Sequence, residues 1–385
     1  MRASDLPEEI VVIAVSARAL AQSAAKLGCA VRAFDAFADR DTRAVGPTVC
    51  VVSDGAIALD RRRLLKALDA LPDRADRRAI VAGSGFERQP HLLNRIAKYG
   101  VLCANDADIV SALKQPELGA ELLHAVGFQV PDTQRARPAD CNGWLRKEIG
   151  GAGGVHVRRA SDGLRRARCY YQREMPGEPY SATFVADGER AWIIGFNRQS
   201  IAAIGAAPFC YTGASTCEID GRIAASLRHS LDLLVRVTDL RGLCGVDFLL
   251  DGDACTLLEV NPRPTATFEL YDPDFAEGLV HWHIRSFAGP LPEFGARLRE
   301  RPLEHRAYAI VFAQGAMQIP AEAVFAPWLR DLPSAGVIQA GAPVLSVFAD
   351  ADTPALARQL LQERQQQAHA MLARWTIASQ RRCEA

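Results

Sequence analysis

Asp247, Glu259 and Asn261 are the residues whose types and spacing first suggest chemistry. They lie in Leu243–Thr267, LCGVDFLLDGDACTLLEVNPRPTAT. Two apolar runs, Leu243–Leu250 and Ala254–Val260, flank Asp251-Gly252-Asp253, so the stretch predicts a β-hairpin. A turn near Gly252 sets Asp247 opposite roughly residue 257, with Glu259 its diagonal neighbour about 7–8 Å away. Glu259 and Asn261 are two residues apart and share a face. Two carboxylates and an amide oxygen at the end of an apolar hairpin suit Mg²⁺ (or Mn²⁺), a hard cation commonly held by one or two carboxylates plus nucleotide phosphates. A surface hairpin with incidental acids is the alternative. Arg263 follows between Pro262 and Pro264, which stiffen its loop.

A second constellation stands upstream. Gly150, Gly151, Gly153 and Gly154 surround Ala152, after the strand-like Trp144–Lys147 and before a strand expected at Val155–Val157. A Walker A loop would need Gly-Lys-Ser/Thr and a following helix, and this stretch has neither. Glycines let backbone N–H groups reach phosphate oxygens, and Lys147 can aim its ammonium at the same phosphates. The chain has five Lys (Lys26, Lys66, Lys98, Lys114, Lys147) among 45 basic residues, a bias that suggests placement where a point charge is needed. His156 is read as packing or hydrogen-bonded structure, with a catalytic base as the alternative. Arg198 ends a hairpin formed by Ser181–Val185 and Ala191–Phe196. It either faces an acyl phosphate or covers apolar surface. Pro208–Ala214 reads as a loop able to close over a site.

These groups need elements to hold them. With 385 residues, two to three domains are expected, and 49% hydrophobic residues are ample for their cores. Lys+Arg and Asp+Glu balance at 45 each, so no global charge points to nucleic acid or membrane. No apolar run approaches the ~20 residues of a membrane-spanning helix. The polar, acidic start MRASDLPEEI is unlike a signal peptide. Ten scattered cysteines form no CxxC. Those in apolar runs (Cys50, Cys244, Cys255) read as buried thiols of a reducing cytoplasm, not as a disulfide framework or zinc site.

Residues 1–113 read as an α/β lobe with a mostly parallel sheet. Strands are expected at 10–15, Cys29–Phe34, Val49–Val52, Ala79–Ala82 and Leu102–Ala104, with helices between. The first βα loop lacks the dinucleotide fingerprint, so NAD is not proposed. Ser16–Arg18, Asp35–Asp41 and Gly83–Glu87 follow strands, where α/β sheets bind ligands; solvated turns and caps are the alternative for the acids. Residues 114–290 hold a helix from Pro116 to about Val126, an extended segment Tyr170–Met175, an amphipathic helix over 221–238 and the hairpin. His281 and His283 do not share a helix face, which argues against zinc. Residues 291–385 read as a smaller α+β unit with strands Tyr308–Ala313 and Val344–Phe348 and a helix over 353–375.

Taken in order, Lys147 before GGAGG, Tyr170–Met175 with its PGEPYS turn, and GVDF…LLEVNPRP resemble the ATP-grasp superfamily. SARALAQSAAKLG, DAFADRDT, VAGSGFERQP and LPSAGVIQAGAPVLSVFA are similar to its biotin-carboxylase-like branch of predicted carboligases. The resemblance implies an ATP-grasp architecture: an N-terminal α/β lobe (1–113), an ATP-grasp domain (114–290) whose two subdomains sandwich ATP, and a C-terminal α+β unit (291–385) completing the fold. It implies that Lys147 and the 150–154 amides hold phosphates. Backbone atoms of Arg173, Glu174 and Met175 would hold adenine. Asp247, Glu259 and Asn261 would hold one or two Mg²⁺, and Arg263 would stabilise the transferring phosphoryl group or an acyl phosphate. Many relatives carry an Asp-Lys pair where this chain has Lys114-Gln115-Pro116; either Lys114 takes over that phosphate contact or the contact is absent. Glu178 is the acid nearest the usual ribose-binding position. The implied activity is ATP-dependent carboxylate–amine ligation through an acyl phosphate, on small-molecule substrates, in the cytoplasm, with a homodimer compatible. Some relatives are linked to tetrahydromethanopterin or methanofuran biosynthesis in methylotrophs. A kinase or carboxylase on the same scaffold, and a non-catalytic nucleotide-binding subunit, are the alternatives.

Overall fold

Apolar runs buried on both faces make the first sheet. Its five parallel strands run in the order Thr48–Cys50, Ala30–Asp35, Glu9–Ile13, Arg78–Ala82 and Val101–Cys103. The central strand shows why. Ile10 and Val12 pack with Leu20, Ala21 and Ala24 of helix Arg18–Ala25 on one face. Val11 and Ile13 pack with Leu64, Leu68 and Ile96 on the other. Strands covered on both faces need no polar alternation. The loops carrying Ala17, Asp35–Asp41 and Gly83–Glu87 all leave the C-terminal edge of this sheet. The computed structural model describes residues 7–53, 56–162, 168–300 and 304–377. Residues 1–6 of the polar N-terminal stretch and 378–385 of the last unit lie outside the described residues.

The second layer is an eight-stranded sheet, ordered Ala254–Asn261, Arg241–Asp251, Glu178–Asp187, Ala191–Ile204, Ala207–Cys217, His305–Phe312, Pro343–Ala351 and Leu329–Arg330. Helix Gly221–Thr238 covers it with Ile223, Leu227, Leu231, Leu234 and Val235, the stripe that its periodicity predicts. Asp220 caps that helix by accepting from the Arg222 and Ile223 N–H groups. The last three strands come from the C-terminal stretch, so one sheet runs across residue 290. A four-stranded sheet, Arg158–Arg159, Trp144–Glu148, Cys169–Arg173 and Thr133–Gln134, carries the glycine loop. Among the described residues no helix is long and apolar enough to cross a membrane.

Three expectations change. Pro208–Ala214 is no loop: Ala207–Cys217 is a strand bonded on both edges. Gly213 permits the close pairing, since a Cβ there would stand 2.2 Å from the Tyr308 carbonyl oxygen. Val155–Val157 is no strand. The Val157 N–H turns back to the Gly154 carbonyl at 3.0 Å, and pairing begins at Arg158. Cys50 is exposed and Cys255 half-buried, while Cys103, Cys169, Cys210 and Cys244 are buried.

Candidate functional site

The hairpin is formed by Arg241–Asp251 and Ala254–Asn261, and its register differs from the expected one. Pairing runs regularly from Asp251↔Ala254 to Phe248↔Leu257, then shifts. Leu258 is the extra residue, and Asp247 faces Glu259 directly instead of diagonally. The Asn261 Nδ2 donates to Asp247 Oδ2 at 2.9 Å, and the Gln199 Nε2 donates to Asp247 Oδ1 at 2.6 Å. The Lys114 Nζ donates to Glu259 Oε2 at 3.0 Å and to Asn261 Oδ1 at 3.1 Å. Burial and the adjacent Glu259 charge raise Asp247 above the usual carboxylate range. Burial works the same way on Glu259, but Lys114 and Lys147 outweigh it and hold Glu259 low. The Glu259 side chain is 40% exposed, so this carboxylate can be reached from solvent.

Two further cations converge there. Lys147 projects from Trp144–Glu148 and donates to Gln172 Oε1 at 2.6 Å. Burial lowers its pKa against the pull of Glu259 and Asp247. Arg263 is ion-paired through Nε with Glu87 of the first lobe, and its Nη2 lies 3.5 Å from Asn261 Oδ1. Glu87 is 6% exposed and also accepts from the Gly85 N–H at 2.8 Å. Burial opposes the Glu87 charge, yet Arg263 and Lys114 hold its carboxyl below the usual range. A small cavity lined by Gly83, Phe86, Glu87, Asn105, Pro262 and Arg263 adjoins this pair.

The glycine loop is fixed by what it touches. Gly150 has φ +71°, and a Cβ there would stand 2.4 Å from the Glu87 carbonyl oxygen. A Cβ on Gly154 would stand 1.8 Å from the Phe209 carbonyl oxygen. The loop therefore sits between the first lobe and strand Ala207–Cys217. Gly151 lies against the His156 ring, and Gly153 has open space around its Cα. His156 accepts the Glu148 N–H at Nδ1, at 3.1 Å, and burial pushes it down to about 4, which keeps it neutral. It holds the loop's base in place.

Arg198 is not brought to the acids. The register sets Ser181 opposite both Asn197 and Asp247, so Asn197 and Gln199 share the Asp247 face and Arg198 points away. Its Nη2 donates to Glu178 Oε1 at 2.6 Å, with both side chains exposed. Glu178 is thus tied to Arg198 on the surface. Gln199 takes the place at the site that sequence reasoning gave to Arg198. Strand alternation from Asn197 was its only signal, and a slip of one residue inverts that signal. Glu87 was named only as part of a loop, because its partner lies 176 residues away. In the hinge, the Arg173 N–H donates to the Asp132 carbonyl at 2.8 Å and the Glu174 N–H to the Gly143 carbonyl at 2.9 Å. The Met175 N–H makes no hydrogen bond among the described residues.

Among the described residues no group of three or more His, Cys, Asp and Glu side chains could hold a metal ion. The donor set is two carboxylates and one amide oxygen, an incomplete shell of the kind that fits Mg²⁺ when phosphate oxygens supply the rest.

Residues 118–267 match the model of an ATP-grasp domain. The structure is similar to a biotin carboxylase–βγ-ATP complex from Campylobacter jejuni, with a TM-score of 0.73 at 12% identity over 93% of this chain and 90% of that one. It is similar to the biotin carboxylase domain dimer of Hydrogenobacter thermophilus 2-oxoglutarate carboxylase, in complex with MgADP, ADP and bicarbonate (TM-score 0.73, 11% identity, 94% and 90% covered). Carboxyaminoimidazole ribonucleotide synthase from Aspergillus clavatus, complexed with ATP, is similar at a TM-score of 0.69 and 14% identity, with 96% and 99% covered. Among curated protein sequences none matches the chain significantly. At these identities the likeness is one of fold, and the fold is ATP-grasp.

Proposed function

We propose that this chain is an ATP-dependent carboxylate–amine ligase that forms an amide through an acyl phosphate. The observation that carries the reading is the pairing of Asp247 with Glu259 under Lys114, beside Lys147 and the Arg263–Glu87 pair. Asp247, Glu259 and Asn261 would hold Mg²⁺, which when bound neutralises phosphate charge and orients the phosphates. The rest falls to the chain's own groups. Lys147, Lys114 and the loop N–H groups of Gly150–Gly154 bind phosphate oxygens. The Met175 N–H, with the 173–175 backbone, holds the base. Arg263, fixed in direction by Glu87, faces charge developing on the transferring phosphoryl group. Half-buried cations that are already oriented stabilise such charge more than mobile ones in water. A substrate carboxylate oxygen takes the γ-phosphoryl and ADP leaves. An amine then attacks the acyl carbon and phosphate leaves. Holding the reactants together supplies much of the remaining rate.

Carboxylation is the second reading, favoured by the likeness to structures described as carboxylases and, in one case, bound to bicarbonate. ADP release separates the two. Dependence on a carboxylate and an amine together supports ligation, whereas dependence on bicarbonate overturns it. A role in pterin- or furan-type one-carbon carrier assembly belongs to this proposal on the resemblance of sequence segments alone. A homodimer and a cytoplasmic location belong to it on the same footing.

A further inference from the structure

Lys114 occupies an unusual place for a phosphate-binding lysine. Its Nζ rests on Glu259 Oε2 and Asn261 Oδ1, two oxygens of the proposed metal set, and the side chain is 8% exposed. The Asp247 oxygens are covered by neutral donors, Gln199 and Asn261. Lys147 donates instead to Gln172. Among the described residues, Lys114 is therefore the cation hydrogen-bonded to Glu259. A divalent ion binds such oxygens at about 2.0–2.1 Å, and an ammonium already seated on Glu259 Oε2 and Asn261 Oδ1 opposes it by occupying lone pairs and by repulsion between like charges. Lys114 also ends helix Ala107–Lys114, where Gln115 turns extended before Pro116 starts the next helix. A four-carbon stem at a helix end can re-aim without disturbing either helix.

We propose that Lys114 is a built-in counter-ion that fills the divalent-cation position on Glu259 and Asn261 until nucleotide phosphates draw it away. Metal is then admitted with the nucleotide and not before it. The inference rests on the reading of this acid set as a nucleotide–metal site. Linkage makes the effect reciprocal: phosphates that capture Lys114 raise metal affinity by the factor by which metal raises theirs.

The test is Mn²⁺ binding to the full chain without nucleotide, followed by electron paramagnetic resonance of the free ion. Wild type is compared with Lys114→Gln, Lys114→Met and Lys147→Gln. The expected result is weak binding by wild type, tightened about tenfold or more by either Lys114 variant. Lys147→Gln removes an equal charge from the same neighbourhood without freeing those oxygens, and should tighten binding less than about threefold. Equal effects of the Lys114 and Lys147 variants would reduce Lys114 to a background charge and overturn the proposal. Wild type supplies an arm that needs no variant: adding a non-hydrolysable ATP analogue should tighten Mn²⁺ binding. If Mn²⁺ binds as tightly without the analogue as with it, the counter-ion role fails and the metal site stands. If Mn²⁺ does not bind even with the analogue, the metal-site reading fails as well.

Discussion

Two clusters of carboxylates lie in this protein, one at the hairpin and one under the first lobe. At the hairpin, Asp247 and Glu259 are held by the side chains of Gln199, Asn261 and Lys114. Under the first lobe, Asp35 accepts the Ala17, Phe37 and Ala38 N–H groups, and Asp41 accepts those of Asp331 and Leu332. Arg18, 3% exposed, bridges Glu269 and Asp331. The backbone donors on Asp35 and Asp41 cannot turn toward a ligand and Arg18 is pinned between two acids, whereas the side-chain donors at the hairpin sit on rotatable stems. The first cluster can thus exchange partners. The second staples the first lobe to the short 3-10 helix Ala266–Leu270 beyond the hairpin and to the C-terminal stretch. Acids in a loop after a parallel strand raise an expectation of ligand contact, but what grips them decides their use.

Removing Arg18 should break the contrast most severely. Arg18→Ala leaves Glu269 and Asp331 without their buried cation, a loss of about 3–5 kcal/mol measurable by denaturant unfolding. Nucleotide binding by the folded fraction should be unchanged within about twofold. A comparable loss of binding at full stability would show that the two clusters are not separate.

Glu87→Gln sharpens the comparison from the other side. The carboxyl of Glu87 is held below its ordinary value of 4.5 in the folded state, so its contribution is present above that value and fades as pH falls through the folded one. The variant should lose on the order of 2 kcal/mol at pH 7, and the gap to wild type should close in acid. A gap independent of pH would assign the effect to packing.

Asp39 is the exception in the second cluster. It is 6% exposed and gives its helix no cap bond. Burial, with Asp331, Asp35 and Asp41, pushes it up to about 9 from 3.8. Between those values the folded state keeps a proton that the unfolded state has released, so stability falls as pH rises. Asp39→Asn should therefore stabilise the protein at pH 8 by on the order of 1–2 kcal/mol, and by nothing below pH about 4. Thermal unfolding at the two pH values checks this, and a destabilised variant at pH 8 would refute it.

Arg198→Ala should do least. Its ion pair with Glu178 is exposed, so stability should move by less than about 1 kcal/mol and nucleotide affinity by less than about twofold. A tenfold loss in a calorimetric titration would return Arg198 to the site.

Much of this was legible in the sequence because it is local. The parallel strands announce themselves as apolar runs, and Gly221–Thr238 by its stripe. The hairpin and its three candidate ligand residues follow from one turn and one alternation. What escaped is set by one-residue phase or by long separation. Leu258 looks like any strand residue, yet its insertion is what brings Glu259 opposite Asp247. The choice between Arg198 and Gln199 depends on pairing with Glu178–Asp187, which composition does not encode. The Arg263–Glu87 pair and the shared eight-stranded sheet are tertiary facts with no local signature.

The most direct test of the central claim is calorimetric titration of ATP, with and without Mg²⁺, into wild type and Glu259→Ala. Mg²⁺-dependent binding is expected of wild type, and loss of the metal dependence of the variant. Wild type that binds no nucleotide under any metal condition would contradict that claim. So would a variant that keeps the full Mg²⁺ dependence.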